Sequence, residues 1–84
     1  MANKEVKVAC KVRKGFLENE LLVEVKGKDG KTHETWAEKE QVEAGSNTMV
    51  VREIQDSDEN ILIELPNETT AGGRRLWVPK SILV

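Results

Sequence analysis

The residue types that most often perform catalysis are sparse in this chain. His33 is the only histidine and Cys10 the only cysteine among the 84 residues. A Cys10–His33 pair could act as a nucleophile with its base, but such a pair needs a third group that orients the base, and none is indicated. Cys10 also falls within an alternating apolar segment, which favours a buried thiol. The sequence therefore predicts no catalytic residues and a protein that is not an enzyme.

Carboxylates occur in close pairs, such as Glu18 with Glu20 and Glu38 with Glu40. Pairs of this kind are typical of a solvated surface. The acidic segment 56–59 superficially resembles a calcium-binding loop, but it is too short and lacks the glycine and the terminal glutamate of an EF-hand. The sequence predicts no metal site and no cofactor.

Basic residues beside tryptophan are better candidates for binding. Lys28 and Lys31 lie in a glycine-containing segment, and Arg74 and Arg75 precede Trp77. Arginine next to an aromatic ring is a pattern that can clamp and stack a nucleic-acid base. The net charge of -2 weighs against this interpretation, because phosphate binding needs a basic field. Binding of RNA or single-stranded DNA through these residues and Trp36 is thus the alternative function.

Hydrophobic alternation predicts the elements that position these residues. Val6, Val8, Cys10 and Val12 share one face of a first strand, and similar alternation predicts further strands over 21–26, 32–37, 48–54, 60–65 and 74–78. Segment 27–31 contains Asp-Gly and predicts a hairpin turn, and 38–42 predicts one short helical turn. Phe16 is expected to close one end of the core. The predicted fold is a single all-β domain, residues 1–84, with five to six short antiparallel strands.

Two parts of the chain resemble each other. Leu21–Val25 matches Ile61–Leu65 at an offset of 40 residues, and Trp36 matches Trp77 at an offset of 41. The pattern predicts two pseudo-repeats over 5–43 and 48–84. Three strands with one apolar face cannot bury that face alone, so two units must pack together. A closed barrel and two sheets packed face to face both satisfy this requirement.

The alternation leaves two arrangements open for the tryptophans. In the register that buries the main apolar set, Trp36 and Trp77 point away from the core and stand beside Leu22 and Leu62, which makes two outward apolar patches. Such patches tend to mark interfaces, and Trp is enriched at binding hot spots. A register shift of one residue would instead place both tryptophans in the core.

The closing segment Val78-Pro79-Lys80-Ser81-Ile82-Leu83 follows a strand that contains Trp77. It resembles the end of an SH3-like barrel, where a strand runs into a proline and a short 3₁₀ turn before the last strand. The resemblance covers the closing segment and the run of short strands, and it implies a small, strongly bent β-barrel. The chain has no tyrosine, and Ile82 stands where SH3 domains usually have a binding tyrosine. Polyproline recognition through the usual groove is therefore not implied.

The predicted function is a non-enzymatic binding or accessory module that joins a protein partner or a second copy of itself. No apolar run approaches the ~20 residues of a membrane span, and no charged-then-apolar leader opens the chain, so we expect a cytoplasmic protein with no membrane partner. The predicted binding residues are Leu22, Trp36, Leu62, Arg74, Arg75 and Trp77.

Overall fold

A computed structural model describes residues 4–43 and 45–84 of the chain. These residues form eight β-strands and two three-residue 3₁₀ helices, so the all-β prediction is confirmed. The elements are Glu5–Ala9 (β1), Lys11–Lys14 (β2), Glu20–Lys26 (β3), Thr32–Glu38 (β4), Lys39–Gln41 (η1), Val42–Glu43 (β5), Thr48–Ser57 (β6), Asn60–Glu64 (β7), Arg75–Pro79 (β8) and Lys80–Ile82 (η2).

The strands form two antiparallel sheets, which makes the fold a small β-sandwich. Sheet A has the order β1-β6-β7-β8, with β5 also paired to β6, and sheet B has the order β2-β3-β4. Within the described ranges the two sheets do not close into one barrel. Five to six strands were expected. The count is higher because the first expected strand is divided at Cys10 and because two residues after η1 also pair with β6.

The division at Cys10 links the two sheets. Before it, Val8 of β1 pairs with Met49 of β6 in sheet A; after it, Val12 of β2 pairs with Val23 of β3 in sheet B. Between the two strands, the Cys10 backbone N donates a hydrogen bond of 2.9 Å to Asn47 O. The amino-terminal half of the chain therefore contributes a strand to each sheet rather than forming a sheet of its own.

The core lies between the facing sides of the sheets and consists of the residues that the alternation places there. Val23 and Val25 of sheet B are fully buried, as are Ile63 and Val78 of sheet A. Leu65, the residue directly after β7, is 1% exposed. Burial of each aliphatic side chain contributes about 1.5–3 kcal/mol to folding. The other members of the core are Val8, Ala37, Val42, Met49, Val51 and Ile61.

Turn chemistry sets where the strands end. In the β3–β4 hairpin, Gly30 has a φ of 79°, and the Gly27 N–H donates to Lys31 O at 2.9 Å, as an Asp-Gly turn predicts. The acidic turn expected over 56–59 is shorter in the structure, because β6 continues to Ser57. Only Asp58, with a φ of 36°, and Glu59 form the turn between β6 and β7.

Pro79 is both the last residue of β8 and the N-cap of η2. Pro79 has no N–H to donate, and it is the last residue of β8 that pairs with β7; the following Lys80 N–H donates to Glu59 O at 2.9 Å. Among the described residues, no helix combines the length and apolar character needed to cross a bilayer.

Candidate functional site

Both tryptophans lie on the outer faces of the sheets, outside the core. Trp36 on β4 stands directly opposite Leu22 on β3, and Trp77 on β8 stands directly opposite Leu62 on β7. All four side chains are partly exposed. The structure therefore has the register that buries the main apolar set, and it brings together the two residue pairs that the sequence placed side by side.

Phe16 extends the apolar surface around Trp36. Its side chain is 90% exposed, and its ring lies 5.8 Å from the Trp36 ring, centroid to centroid, with 40° between the planes. The expectation that Phe16 closes the core is wrong, because the β2–β3 connection turns outward: the Gly15 N–H donates to Glu20 O at 3.1 Å, and the Glu20 N–H donates to Leu17 O at 3.1 Å. We call Phe16, Leu17, Leu22 and Trp36 the aromatic surface.

The turn that carries Phe16 requires a glycine at position 15. A Cβ atom on Gly15 would lie 2.5 Å from the Glu20 backbone O and 3.1 Å from Trp36 Cζ3. Real Cβ atoms do not approach a backbone oxygen so closely. Gly15 therefore lets the chain pass against the edge of the Trp36 ring and place Phe16 beside it.

An open groove of about 420 Å³ lies next to Trp36. Glu20 and Glu38 stand directly opposite each other on β3 and β4 at one side of it, and Glu68 lies in the loop that follows β7. Like charges directly opposite each other destabilise a sheet. Three of the six lining residues are thus acidic, and the groove is lined by Glu20, Trp36, Ala37, Glu38, Asn67 and Glu68.

The connection from β7 to β8 is held against the edge of β4. The buried Thr35 hydroxyl donates toward Asn67 O at 2.9 Å and Glu68 O at 3.1 Å, and Asn67 Nδ2 donates to Trp36 O at 2.8 Å. The Thr70 N–H adds a bond of 3.0 Å to the backbone O of β4 residue 34. These bonds cover the edge of sheet B and fix one wall of the groove.

Trp77 differs from Trp36 in its surroundings. Lys28 Nζ lies 5.5 Å from the centre of a Trp77 ring, and the Lys28 N–H donates to Trp77 O at 2.8 Å. This distance is within the ≈ 6 Å at which a cation interacts with an aromatic face. Lys28, predicted as a phosphate contact, therefore covers Trp77 from the β3–β4 turn.

Arg74 and Arg75 contact groups of their own chain. Arg74 Nε donates to Leu65 O at 3.2 Å and closes the base of the β7–β8 connection, while Arg75 Nε lies 3.4 Å from Glu64 Oε2. Glu64 also pairs with Arg52 at 3.7 Å. Arg75 lies on the same strand as Trp77 and Arg74 directly precedes that strand, and at least one nitrogen of each guanidinium already has an oxygen partner.

Glutamates on the outer face of sheet B beyond Trp36 are likewise paired. Arg13 of β2 reaches Glu24 of β3 at 3.4 Å and also pairs with Glu34 of β4. Within residues 4–43 and 45–84, no basic side chain forms an ion pair with Glu20 or Glu38. Charge compensation therefore differs sharply between one side of Trp36 and the other.

Cys10 and His33 have separate surroundings. Cys10 packs against the core, and burial raises the pKa of its thiol to about 11, which disfavours the reactive thiolate. His33 Nε2 lies 3.5 Å from Asp29 Oδ1. The pKa of Asp29 is lowered, chiefly because its carboxylate accepts the backbone N–H of Lys31. Within the described part of the chain, no three metal-ligating side chains gather into a cluster.

Comparisons of the chain with protein-family models, with curated proteins and with solved structures find no match. The resemblance of the closing segment to SH3-like barrels stays a prediction. The 3₁₀ helix that follows Pro79 is present, and Ile82 packs against the core instead of standing free on the surface.

The sequence missed Phe16 and the groove. The signal for Phe16 was Gly15 followed by Phe and an acidic segment, a composition typical of an exposed connection. The groove combines β3, β4 and a connection from the other sheet, so no local pattern contains it.

Proposed function

We propose that this chain is a non-enzymatic module that binds a protein partner through the aromatic surface of sheet B. The observation that carries the proposal is the position of Phe16, which is 90% exposed and packs on Trp36 rather than on the core. Burying a Phe side chain stabilises a protein by about 1.5–3 kcal/mol, and this contribution is forgone here. Exposed aromatic anchors of this kind are typical of interface hot spots.

The Trp77 surface has weaker support as the primary contact. Lys28 already lies over the Trp77 ring, so a partner would have to displace it or pack around it. Leu62 and Trp77 would then serve as a second contact, for a larger partner or a second copy of the chain.

Nucleic-acid binding also has weaker support than protein binding. Phosphate recognition needs cationic side chains that can be redirected toward the ligand, whereas Arg75 pairs with Glu64 and Arg74 donates to backbone oxygens. Lys31 is exposed, but it is one charge on a chain whose net charge is -2.

We further infer that the two halves descend from one duplicated unit. Support comes from equivalent pairings: Leu22 with Trp36 and Leu62 with Trp77, each pair on an outer face. A 3₁₀ helix follows each tryptophan-bearing strand.

The residues after each 3₁₀ helix also make equivalent pairings. Val42 pairs with Met49, and Leu83 pairs with Val8. At an offset of 41 residues, position 42 corresponds to 83 and position 8 corresponds to 49, so the two pairs are equivalent. Val8 and Met49, which occupy corresponding positions in the two halves, also pair with each other. A two-fold arrangement of two copies places the pairing between them in this way.

The experiment compares partner binding by the wild-type chain, Phe16→Ser and a control, Val84→Ser. Val84 is 76% exposed and apolar, so its substitution removes exposed apolar surface elsewhere. Affinity capture identifies a partner, which is then purified and titrated by calorimetry. We expect Phe16→Ser to weaken binding about tenfold or more, since hot-spot truncations cost about 2 kcal/mol or more and about 1.4 kcal/mol is tenfold in affinity, and we expect Val84→Ser to leave it unchanged.

Equal binding by Phe16→Ser and wild type would contradict the proposal. A sedimentation experiment that shows only the monomer at physiological concentration, together with no bound partner, would also contradict it. Oligonucleotide binding that falls steeply between 50 mM and 200 mM salt, by about 10³-fold or more, would favour the nucleic-acid alternative instead.

A further inference from the structure

The two tryptophan sites stand at corresponding places in the two sheets but are covered differently. Each tryptophan faces a leucine across the same kind of strand pair on an outer face. Trp77 has the Lys28 ammonium 5.5 Å from its ring centre. Among residues 4–43 and 45–84 no Lys or Arg lies over the Trp36 ring, which has Phe16 on one side and the acidic groove on the other.

The carboxylates of Glu20 and Glu38 beside Trp36 form no ion pair within the described ranges, although the Glu38 side chain forms a capping box with Gln41 at the start of η1. Farther along the same outer face, Arg13 pairs with Glu24 and Glu34. Glu20 and Glu38, directly opposite each other, have no basic partner within the described ranges. A cation placed between them would convert a cross-strand repulsion into two attractions.

We propose that the groove beside Trp36 takes a lysine or arginine side chain of the partner, an inference that rests on the proposed binding function. The aliphatic stem would lie along the Trp36 ring, as Lys and Arg stems pack on apolar surface. The charged head would lie among Glu20, Glu38 and Glu68, and Phe16 would contact an apolar neighbour of that residue. Lys28 on Trp77 is the intramolecular counterpart of this contact.

The cation supplies binding specificity in this scheme, and the aromatic surface supplies apolar contact. An aromatic face within ≈ 6 Å attracts a cation, and more strongly when the cation is desolvated, while charge-assisted hydrogen bonds to carboxylates are about twice as strong as neutral ones. We therefore expect replacement of the basic residue by a neutral chain of similar length to weaken binding at least tenfold.

The probe is a random twelve-residue peptide library displayed on phage and selected on the immobilised chain. We compare wild type, Glu20→Gln/Glu38→Gln and a control, Asp58→Asn/Glu59→Gln. Both double variants remove two carboxylates, but the control acts in the β6–β7 turn of the other sheet. Selected peptides are synthesised, and each basic residue is replaced in turn by norleucine.

We expect wild type and the control to select peptides with a basic residue next to an apolar one. Norleucine at that position should weaken binding at least tenfold to wild type and less than threefold to Glu20→Gln/Glu38→Gln. Urea melts of each variant establish that the fold is retained. Amide chemical-shift changes on peptide addition should centre on the groove.

Peptides that lack a basic residue yet require Phe16 would overturn the inference and leave the binding function standing. Peptides that bind Phe16→Ser and wild type equally would overturn the binding function itself. A norleucine effect of the same size in Glu20→Gln/Glu38→Gln as in wild type would also overturn the inference, because the cation would then be bound elsewhere.

Discussion

Replacing Thr35 with valine tests how the β7–β8 connection is held against sheet B. Thr35 is fully buried, and its hydroxyl donates toward the backbone oxygens of Asn67 and Glu68 at 2.9 and 3.1 Å. Valine has nearly the same shape but no donor. A net hydrogen bond contributes about 0.5–1.5 kcal/mol, and an acceptor left unsatisfied in a buried site costs about 1–3 kcal/mol. Because one hydroxyl proton is shared between two oxygens, we expect a loss of about 1–2 kcal/mol.

Urea unfolding followed by circular dichroism measures this loss, with the m-value unchanged. For a domain of this size it corresponds to a fall of about 4–8 °C in Tm per kcal/mol. Hydrogen exchange adds a local readout, since the Thr70 amide donates to Glu34 O and should exchange faster in Thr35→Val. The control is Thr32→Val on the exposed face of the same strand.

The reasoning would be refuted by a change below about 0.3 kcal/mol together with unaltered exchange at Thr70. It would equally be refuted if Thr32→Val were as destabilising, because the cost would then come from valine on β4 and not from the lost hydroxyl.

Three further predictions concern the core, the thiol and the turn at position 15. Ile63→Val should lower the free energy of unfolding in urea by about 1 kcal/mol and Ile63→Ala by about 2–5 kcal/mol, because Ile63 is fully buried. Equal losses for the two variants would contradict this, since they would mean that neighbouring side chains fill the space left by alanine. The pKa of the Cys10 thiol is raised from 9.0 to about 11, so the stabilisation from keeping it protonated is present below pH 9 and is lost as pH rises to about 11. The free energy of unfolding, measured in urea from pH 7 to 11, should show this loss in the wild type and should not show it in Cys10→Ser. Gly15→Ala should lower the free energy of unfolding by about 1–3 kcal/mol through overpacking. It should also move Phe16 away from the Trp36 indole, a change that tryptophan fluorescence reports. Gly45→Ala is the control, because the space at its Cβ is open, and it should have neither effect.

The contrast between the two tryptophan sites extends beyond the proposed ligand. One site is covered by a lysine of the same chain, and the other lies beside Glu20 and Glu38, which make no ion pair within residues 4–43 and 45–84. If the halves arose from one unit, the copies diverged where the β3–β4 turn of sheet B places Lys28 over Trp77 of sheet A.

Local patterns predicted much of this fold correctly. Period-two alternation placed Val23, Val25, Ile61 and Ile63 in the core, because side chains of a strand alternate between its faces. Asp-Gly predicted the hairpin turn because its glycine adopts positive φ. The same alternation placed Leu22 beside Trp36 in one of the two registers that it left open, and the structure has that register.

Other features depended on partners distant in sequence. The sequence around Cys10 does not predict that the chain passes from sheet A to sheet B at this residue, since the change of sheet depends on pairing of β1 with β6 and of β2 with β3. Phe16 was misplaced because hydrophobicity predicts burial only where the chain can reach the core, and the turn at Gly15 directs it outward.

The sequence by itself determined the main apolar set that faces inward and the position of the β3–β4 turn, and it left open whether the two tryptophans face the core or the outside. Tertiary structure alone decided that Lys28 covers Trp77, and that Glu20, Glu38 and Glu68 gather beside Trp36. The physical reason is the distance along the chain over which each interaction acts. Alternation and turn propensity act between neighbours in the chain, whereas the charge around each tryptophan is set by segments that only folding brings together.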